Sequence, residues 1–322
     1  MSPFVLAFFL GIFSKVIKSE LSLPKDLYSA LSIYLLLALG LKGGVELSLT
    51  TFQEIAMPGL MTVFLGIITP VTAYFAFRNL GKFSPIDSAA IAAHYGSVSA
   101  VTFIAATQFA SAMGAKPEGF MPTLLTLLES PGIHIALAIG AYHRAKGQGG
   151  KTAQSFWSIL HEIVTARSMV LLIGGLALGF SIGEKSYDPI KPFFEGGFQG
   201  ALVLFLLEMG IVAGERLKDL RRVGLRLVIL GVLLPIAHGF LGVVLGHFAG
   251  LSIGGACVLG TMAASASYIA APPAARLILP EANPAFYLTA SLVVTFPFNL
   301  VLGIPLYFKL ASWIAQQQLG GL

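Results

Sequence analysis

Charge is scarce in this chain. Lysine, arginine, aspartate and glutamate make up 11% of its 322 residues, against about 25% in soluble domains. So few charges cannot cover a water-facing surface, which excludes a soluble enzyme, a nucleic-acid binder and a disordered scaffold. Cysteine is nearly absent. Cys257 stands alone in an apolar run, so no intrachain disulfide can form, and a small packing residue is its plain reading. Motifs for energy coupling and hydrolysis are missing too. No GxxxxGK[ST] loop occurs, which argues against an ATP-driven pump within the chain. There is no Ser-His-Asp or HExxH arrangement, and His134, His143, His161, His238 and His247 lack metal-ligand spacing with cysteine or carboxylate. The first apolar run has neither a basic segment before it nor a small-residue cleavage site after it. That predicts a retained first helix rather than a removed signal peptide.

What is present is apolar. The hydrophobic set reaches 56% and the mean hydropathy is +0.84. The 36 glycines and 17 prolines follow no three-residue period, and both residues are frequent in membrane helices. The bilayer is therefore the solvent. A spanning helix needs about 20 apolar residues, and ten apolar runs can be read: 3–19, 27–45, 57–77, 86–112, 121–142, 167–183, 196–213, 224–248, 253–276 and 285–313. The expected fold is an all-α polytopic membrane protein with ten transmembrane helices.

Alternating the sides of the ten runs tests the count. Fifteen of the twenty basic residues fall on one side, among them Lys15, Arg78, Arg144, Arg167, the cluster Arg216 to Arg226 and Arg276. Only Lys42, Lys116, Lys185, Lys191 and Lys309 fall on the other. The positive-inside rule makes the rich side cytoplasmic and puts both termini outside. This asymmetry also accounts for the net charge of +5. The basic cluster reads as an anionic-lipid contact or as a docking point for a regulatory protein.

The halves resemble each other. Tyr34 to Glu46 matches Val203 to Glu215, Gly66-Ile67-Ile68-Thr69-Pro70 matches Gly231-Val232-Leu233-Leu234-Pro235, Ser97-Val98-Ser99-Ala100 matches Ser265-Ala266-Ser267-Tyr268, and Ser130-Pro131-Gly132 matches Phe296-Pro297-Phe298. The four matches keep one order at offsets of 165–169. A repeat of five helices must insert in opposite orientations, which is the inverted-repeat architecture of secondary transporters. The halves are residues 1–143 and 167–322. A polar linker, 144–166, joins them on the cytoplasmic side, and its Ser155 to Thr165 stretch reads as a tether or a short interfacial helix.

Polar atoms at membrane depth mark the candidate site. Run four carries His94-Tyr95-Gly96-Ser97-Val98-Ser99-Ala100-Val101-Thr102, and run nine carries Ala264-Ser265-Ala266-Ser267-Tyr268 ahead of Pro272-Pro273. Helices four and nine are expected to be discontinuous and to cross there, since the double proline removes two donors. Two half-helix N-termini could then face a small anion with free N–H groups and positive dipole ends. The hydroxyls of Ser97, Ser99, Ser265 and Ser267 add donors, which suits a planar three-oxygen anion. Close packing through small residues explains either segment alone. For a coupling cation, Glu129, Ser130, Thr295 and Asn299 supply oxygen ligands for sodium beside the crossing, with Pro131 and Pro297 each freeing a carbonyl one turn earlier. An intramembrane carboxylate is costly and points to function; a bonded structural role for Glu129 is the alternative. Glu208 reads as cavity-facing or as a subunit contact, His94 and Tyr95 as path-lining or packing residues, and Glu46 and Glu215 as interfacial.

Taken as a set, His94 to Thr102, Leu128-Glu129-Ser130-Pro131, Leu160-His161-Glu162 and Ala263 to Pro273 resemble the sodium-dependent bicarbonate transporter family of cyanobacteria, the SbtA-like proteins, over almost the whole chain. The resemblance implies an inner-membrane importer of bicarbonate driven by sodium, serving inorganic-carbon uptake in a carbon-concentrating mechanism. It also implies a homotrimer with core and gate domains, and a PII-like regulatory protein at the cytoplasmic face. By motif position the bicarbonate site falls on Gly96, Ser97, Val98, Ser99, Ala100, Ala264, Ser265, Ala266 and Ser267. Sodium then lies among neighbouring polar groups, with Ser99, Thr102 and Ser267 joining Glu129, Ser130, Thr295 and Asn299. The linker is shorter than expected for such regulation. By analogy with other five-plus-five transporters, runs three to five and eight to ten form the core, and runs one, two, six and seven the gate. No cofactor is expected beyond sodium as the coupling ion. Carrying one bicarbonate inward against an inside-negative potential costs about 2.3 kcal/mol per 100 mV, which one sodium ion cancels. The alternatives are a sodium symporter of another small organic anion and, in a different class, a channel or membrane receptor.

Overall fold

The computed structural model describes residues 3–147, 161, 165 and 167–319. Among them every regular element is helical. The elements are α1 (Pro3–Val16), α2 (Lys25–Ser48), α3 (Phe52–Phe75), α4 (Pro85–Tyr95), α5 (Ala100–Ala112), α6 (Met121–Gly147), α7 (Arg167–Tyr187), α8 (Phe198–Arg216), α9 (Leu225–Phe248), α10 (Ile253–Ala263) and α11 (Ala271–Ile278). Then α12 (Pro284–Leu288) runs through the wide turns Thr289–Thr295 and Asn299–Gly303 into α13 (Ile304–Leu319). Eight described helical stretches are long and apolar enough to cross a membrane, with Pro3–Val16 and Ile253–Ala263 as shorter apolar helices. The chain is a multi-pass membrane protein. Most of the Ser155 to Thr165 stretch lies outside the described residues.

Local chemistry sets the ends of the two short helices that matter most. Ser84 caps α4 by accepting the Asp87 N–H, with Pro85 in the first turn, where a missing N–H costs nothing. Ser252 caps α10 by accepting the Gly255 N–H at 3.0 Å, and its own N–H donates to Glu118 Oε1 at 2.6 Å. Both helices are 11 residues long, about half a bilayer crossing.

Glycine decides how the outer helices pair. α2 lies against α7 through Gly40 and Gly44 on one side and Gly175 and Gly179 on the other. A Cβ on Gly40 would sit 2.9 Å from the Gly175 Cα, and one on Gly44 would overlap the Leu176 carbonyl. α1 meets α8 in the same way, where a Cβ on Gly11 would sit 2.7 Å from the Ile211 nitrogen. Small residues let helix backbones touch where apolar lipid supplies no driving force for association. Lys15 and Glu215, 3.5 Å apart, close the end of the α1–α8 pair. The helices together bury two large apolar clusters, the first of which takes in residues of the outer helices such as Phe8, Leu35, Leu172 and Phe205. One gathers Phe103, Met121, Leu259 and Phe296, the other Ala89 to Ala93, Tyr95, Ile133 and Tyr287.

Candidate functional site

The serine segments are breaks, and they meet. α4 ends at Tyr95, Gly96 to Ser99 are non-helical, and α5 restarts at Ala100. α10 ends at Ala263 and α11 starts at Ala271. The Ser99 N–H donates to Ser265 Oγ at 3.0 Å, and the Ser267 N–H donates to the His94 carbonyl at 2.8 Å. The first break thus donates to the second, and the second donates to the last turn of α4. Ser99 Oγ accepts the Thr102 N–H at 3.2 Å, and Ser267 Oγ accepts the Ala270 N–H at 3.2 Å. Ser97, Ser99, Thr102, Ser265 and Ser267 are all buried.

The four serine hydroxyls are not equivalent. Ser265 donates its proton to the Met262 carbonyl at 2.8 Å, so it has no proton left for a bound anion. Ser99 and Ser267 act as acceptors in the contacts above, and Ser99 also meets the Tyr268 hydroxyl. Ser97 Oγ is buried with no partner among the described residues. The two helix N-termini differ as well. α5 opens with Ala100 and Val101, whose N–H groups have no partner within the helix. In α11, Pro272 and Pro273 follow Ala271 and carry no N–H. The expectation of two matching donor ends is therefore corrected: α5 is the donor end, and α11 presents little more than its dipole.

Gly96 owes its place to packing. A Cβ there would sit 2.6 Å from Pro70 Cβ and 3.0 Å from the Gly132 Cα, and one on Gly132 would overlap the Gly96 carbonyl. α6 therefore lies backbone to backbone on the first break. Gly132 was legible only as part of the Ser130-Pro131-Gly132 repeat match, which gave no reason to assign it to the site. Tyr268 was missed in the same way. Its ring meets Phe296 edge-on at 5.2 Å, and its hydroxyl faces Ser99.

The expected sodium ligands are only partly brought together. Thr295 donates to the Gly231 carbonyl at 2.7 Å, the carbonyl that Pro235 strips of its helical donor. The Tyr95 hydroxyl completes the relay, 2.7 Å from Thr295 Oγ1. Asn299 Nδ2 donates to the Ala264 carbonyl at 2.9 Å, while its Oδ1 lies 3.3 Å from the Tyr307 hydroxyl. The side chain of Glu129 is buried and bonds to Ser168 at the start of α7, across the boundary between the inner and outer helices. Ser130 sits in α6, and its side chain lies outside the described residues. Among the described residues no group of three or more histidine, cysteine or carboxylate side chains could hold a metal ion.

The secondary candidates fall elsewhere. His94 Nδ1 donates to the Ala90 carbonyl at 2.7 Å, and the ring stacks on Tyr287 with centroids 4.5 Å apart, a packing role close to the second break. Glu208 is partly buried beside Tyr28 and accepts the Leu23 N–H.

Two broken helices tied to each other and lined with buried hydroxyl groups make up the candidate site. No curated protein matches the chain. A family model described as the Na+-dependent bicarbonate transporter superfamily matches residues 3–312, nearly the whole length, as the sequence resemblance implied. The chain therefore belongs to the Na+-dependent bicarbonate transporter superfamily, a family of transporters and not of enzymes.

Proposed function

We propose that this chain imports bicarbonate by sodium symport, through alternating access, on a ten-helix frame of two inverted five-helix repeats. The observation that carries the reading is the pair of hydrogen bonds that tie the two broken helices together, Ser99 N–H to Ser265 Oγ at 3.0 Å and Ser267 N–H to the His94 carbonyl at 2.8 Å. Equivalent segments crossing near the midplane are what an inverted repeat produces at its axis.

Other features support the repeat. The half-helices have equal length and equal serine caps. First-half Gly66 lies against Leu128 as second-half Gly231 lies against Val294. The first helix of each half pairs with the second helix of the other, α1 with α8 and α7 with α2, through glycine in both cases. These two pairs form the gate, and the helices around the breaks form the core. The linker and the basic cluster then face the cytoplasm and both termini face outward. The family resemblance adds the inner membrane, a homotrimer and a PII-like regulator at the cytoplasmic side.

Bicarbonate takes the N–H groups of Ala100 and Val101 at the positive end of α5, with hydroxyl protons from Ser97, Ser99 and Ser267. Gly96, Val98, Ala264, Ser265 and Ala266 shape the walls. Sodium binds among Ser99, Thr102, Glu129, Ser130, Ser267, Thr295 and Asn299. It stiffens the breaks and so raises anion affinity, and the anion must raise sodium affinity equally. The test is uptake of ¹⁴C-bicarbonate into proteoliposomes with and without an inward sodium gradient. Uptake that requires the gradient and saturates supports symport. Uptake indifferent to sodium, or none by folded and correctly oriented protein, overturns it.

A further inference from the structure

A cavity of about 290 Å³ opens between the gate helices and the core. Lys42 and Glu46 of α2 and Gln199 of α8 line one wall, and Thr107, Gln108 and Ser111 of α5 the other. Lys42 reaches Glu195 at 3.4 Å near the rim. Polar lining within an apolar protein marks a space that holds water. The floor is different: Phe103, Ile104 and Met121 close it, and they are only 1%, 3% and 1% exposed.

One face of α5 connects this cavity to the breaks. Ser99, Phe103, Thr107 and Ser111 recur every fourth residue, which stacks them along a single helix face. Thr107 and Ser111 line the cavity, and Ser99 belongs to the crossing. Phe103 is the step between, about 6 Å along the axis from each neighbour at 1.5 Å per residue. Along α5 the lining residues nearest the break are thus Phe103 and Ile104, both apolar, and no site serine lines the cavity.

We propose that this cavity is the outer access route to the crossing and that Phe103 is the barrier that closes it. The inference rests on the bicarbonate reading only for the identity of what passes. A hydrated ion reaches Thr107 freely and goes further only when the Phe103 ring leaves the α5 face. Because the two walls come from the gate and from the core, relative movement of these bundles widens the cavity at its floor and frees the ring.

The chain's single cysteine, Cys257, is buried, so a Cys257→Ala background can carry one reporter thiol at a time. Thr107→Cys reports the cavity; Ser99→Cys and Thr102→Cys report the space beyond the floor. A membrane-impermeant methanethiosulfonate is applied to the outer face of sodium-free cells. The expected result is labelling of Thr107→Cys whichever residue stands at 103. Labelling of Ser99→Cys and Thr102→Cys becomes at least tenfold faster with Phe103→Ala, or with Phe103→Val should the alanine variant fail to fold. The proposal is overturned if Thr107→Cys labels only from the inner face, or if the deeper thiols label at one rate regardless of residue 103. Labelling needs no transport, so this result is read separately from bicarbonate uptake: correct labelling without uptake would unseat the substrate and leave the route standing.

Discussion

Ser97 and Ser265 open the two matching serine segments, 168 residues apart in sequence, and their alanine variants should fail in opposite ways. Ser265 Oγ accepts the Ser99 N–H at 3.0 Å and donates to the Met262 carbonyl at 2.8 Å. Truncating it leaves the Ser99 N–H buried and unpaired, which costs about 1–3 kcal/mol. Ser97 Oγ has no partner among the described residues, so Ser97→Ala removes no protein hydrogen bond and slightly relieves a buried polar atom. If Ser97 serves the anion, its loss instead removes a hydrogen bond to a charged ligand, worth about 1.5–3 kcal/mol. That weakens bicarbonate roughly 10–150-fold at about 1.4 kcal/mol per tenfold. The assay pairs a thermal-unfolding scan of purified protein, with and without bicarbonate and sodium, with the KM for uptake in proteoliposomes. Ser265→Ala should lower the unfolding midpoint without ligand by at least about 2 °C. Ser97→Ala should leave that midpoint in place, abolish its rise on adding bicarbonate, and raise KM at least tenfold. A Ser97→Ala protein with unchanged KM and undiminished bicarbonate stabilisation would refute the assignment of its hydroxyl to the anion.

Glu129→Gln should raise the sodium concentration for half-maximal uptake at least tenfold, while Ser168→Ala, which removes only the partner, should shift it less; equal shifts would identify the pair as a structural contact. Thr295→Val leaves the Gly231 carbonyl and the Tyr95 hydroxyl unpaired, so it should destabilise by about 1–3 kcal/mol, and Tyr95→Phe by less, as read from unfolding midpoints. Gly44→Ala forces a Cβ into the Leu176 carbonyl, and overpacking of this kind costs about 1–3 kcal/mol. Gly174→Ala, with nothing within 4 Å of its Cβ, is the control and should be neutral in the same scan. Sodium alone should raise the wild-type midpoint, since a ligand of the native state stabilises by RT ln(1 + [L]/Kd), and potassium at equal ionic strength should not.

Much of this protein was legible in one dimension because a bilayer imposes a one-dimensional rule. Every backbone group in lipid must be satisfied within its own helix or bundle, so hydropathy alone defined the class, a multi-pass helical membrane protein. The second break was legible too, since the double proline at 272 and 273 suits the first turn of a helix and not its interior. What each serine does was not. Ser97 and Ser265 look alike in sequence, and only the arrival of the Ser99 N–H and the Met262 carbonyl at Ser265 distinguishes a bonded hydroxyl from a free one. The same holds for Thr295, whose proton goes to a carbonyl freed by Pro235 in a different helix. Glu129 was conspicuous as a buried charge, but its bond to Ser168 joins residues from different halves of the chain. Gly132 and Phe103 carried no signal of their own, because a glycine's tolerance for a neighbouring backbone and a phenylalanine's place on a cavity floor depend on what packs against them. Hydropathy and turn chemistry act along the chain and determined the class of fold and the position of the second break. Hydrogen-bond partners and close contacts act across it, between residues far apart in sequence, so only the tertiary structure decided which of the polar groups remained free to hold an ion.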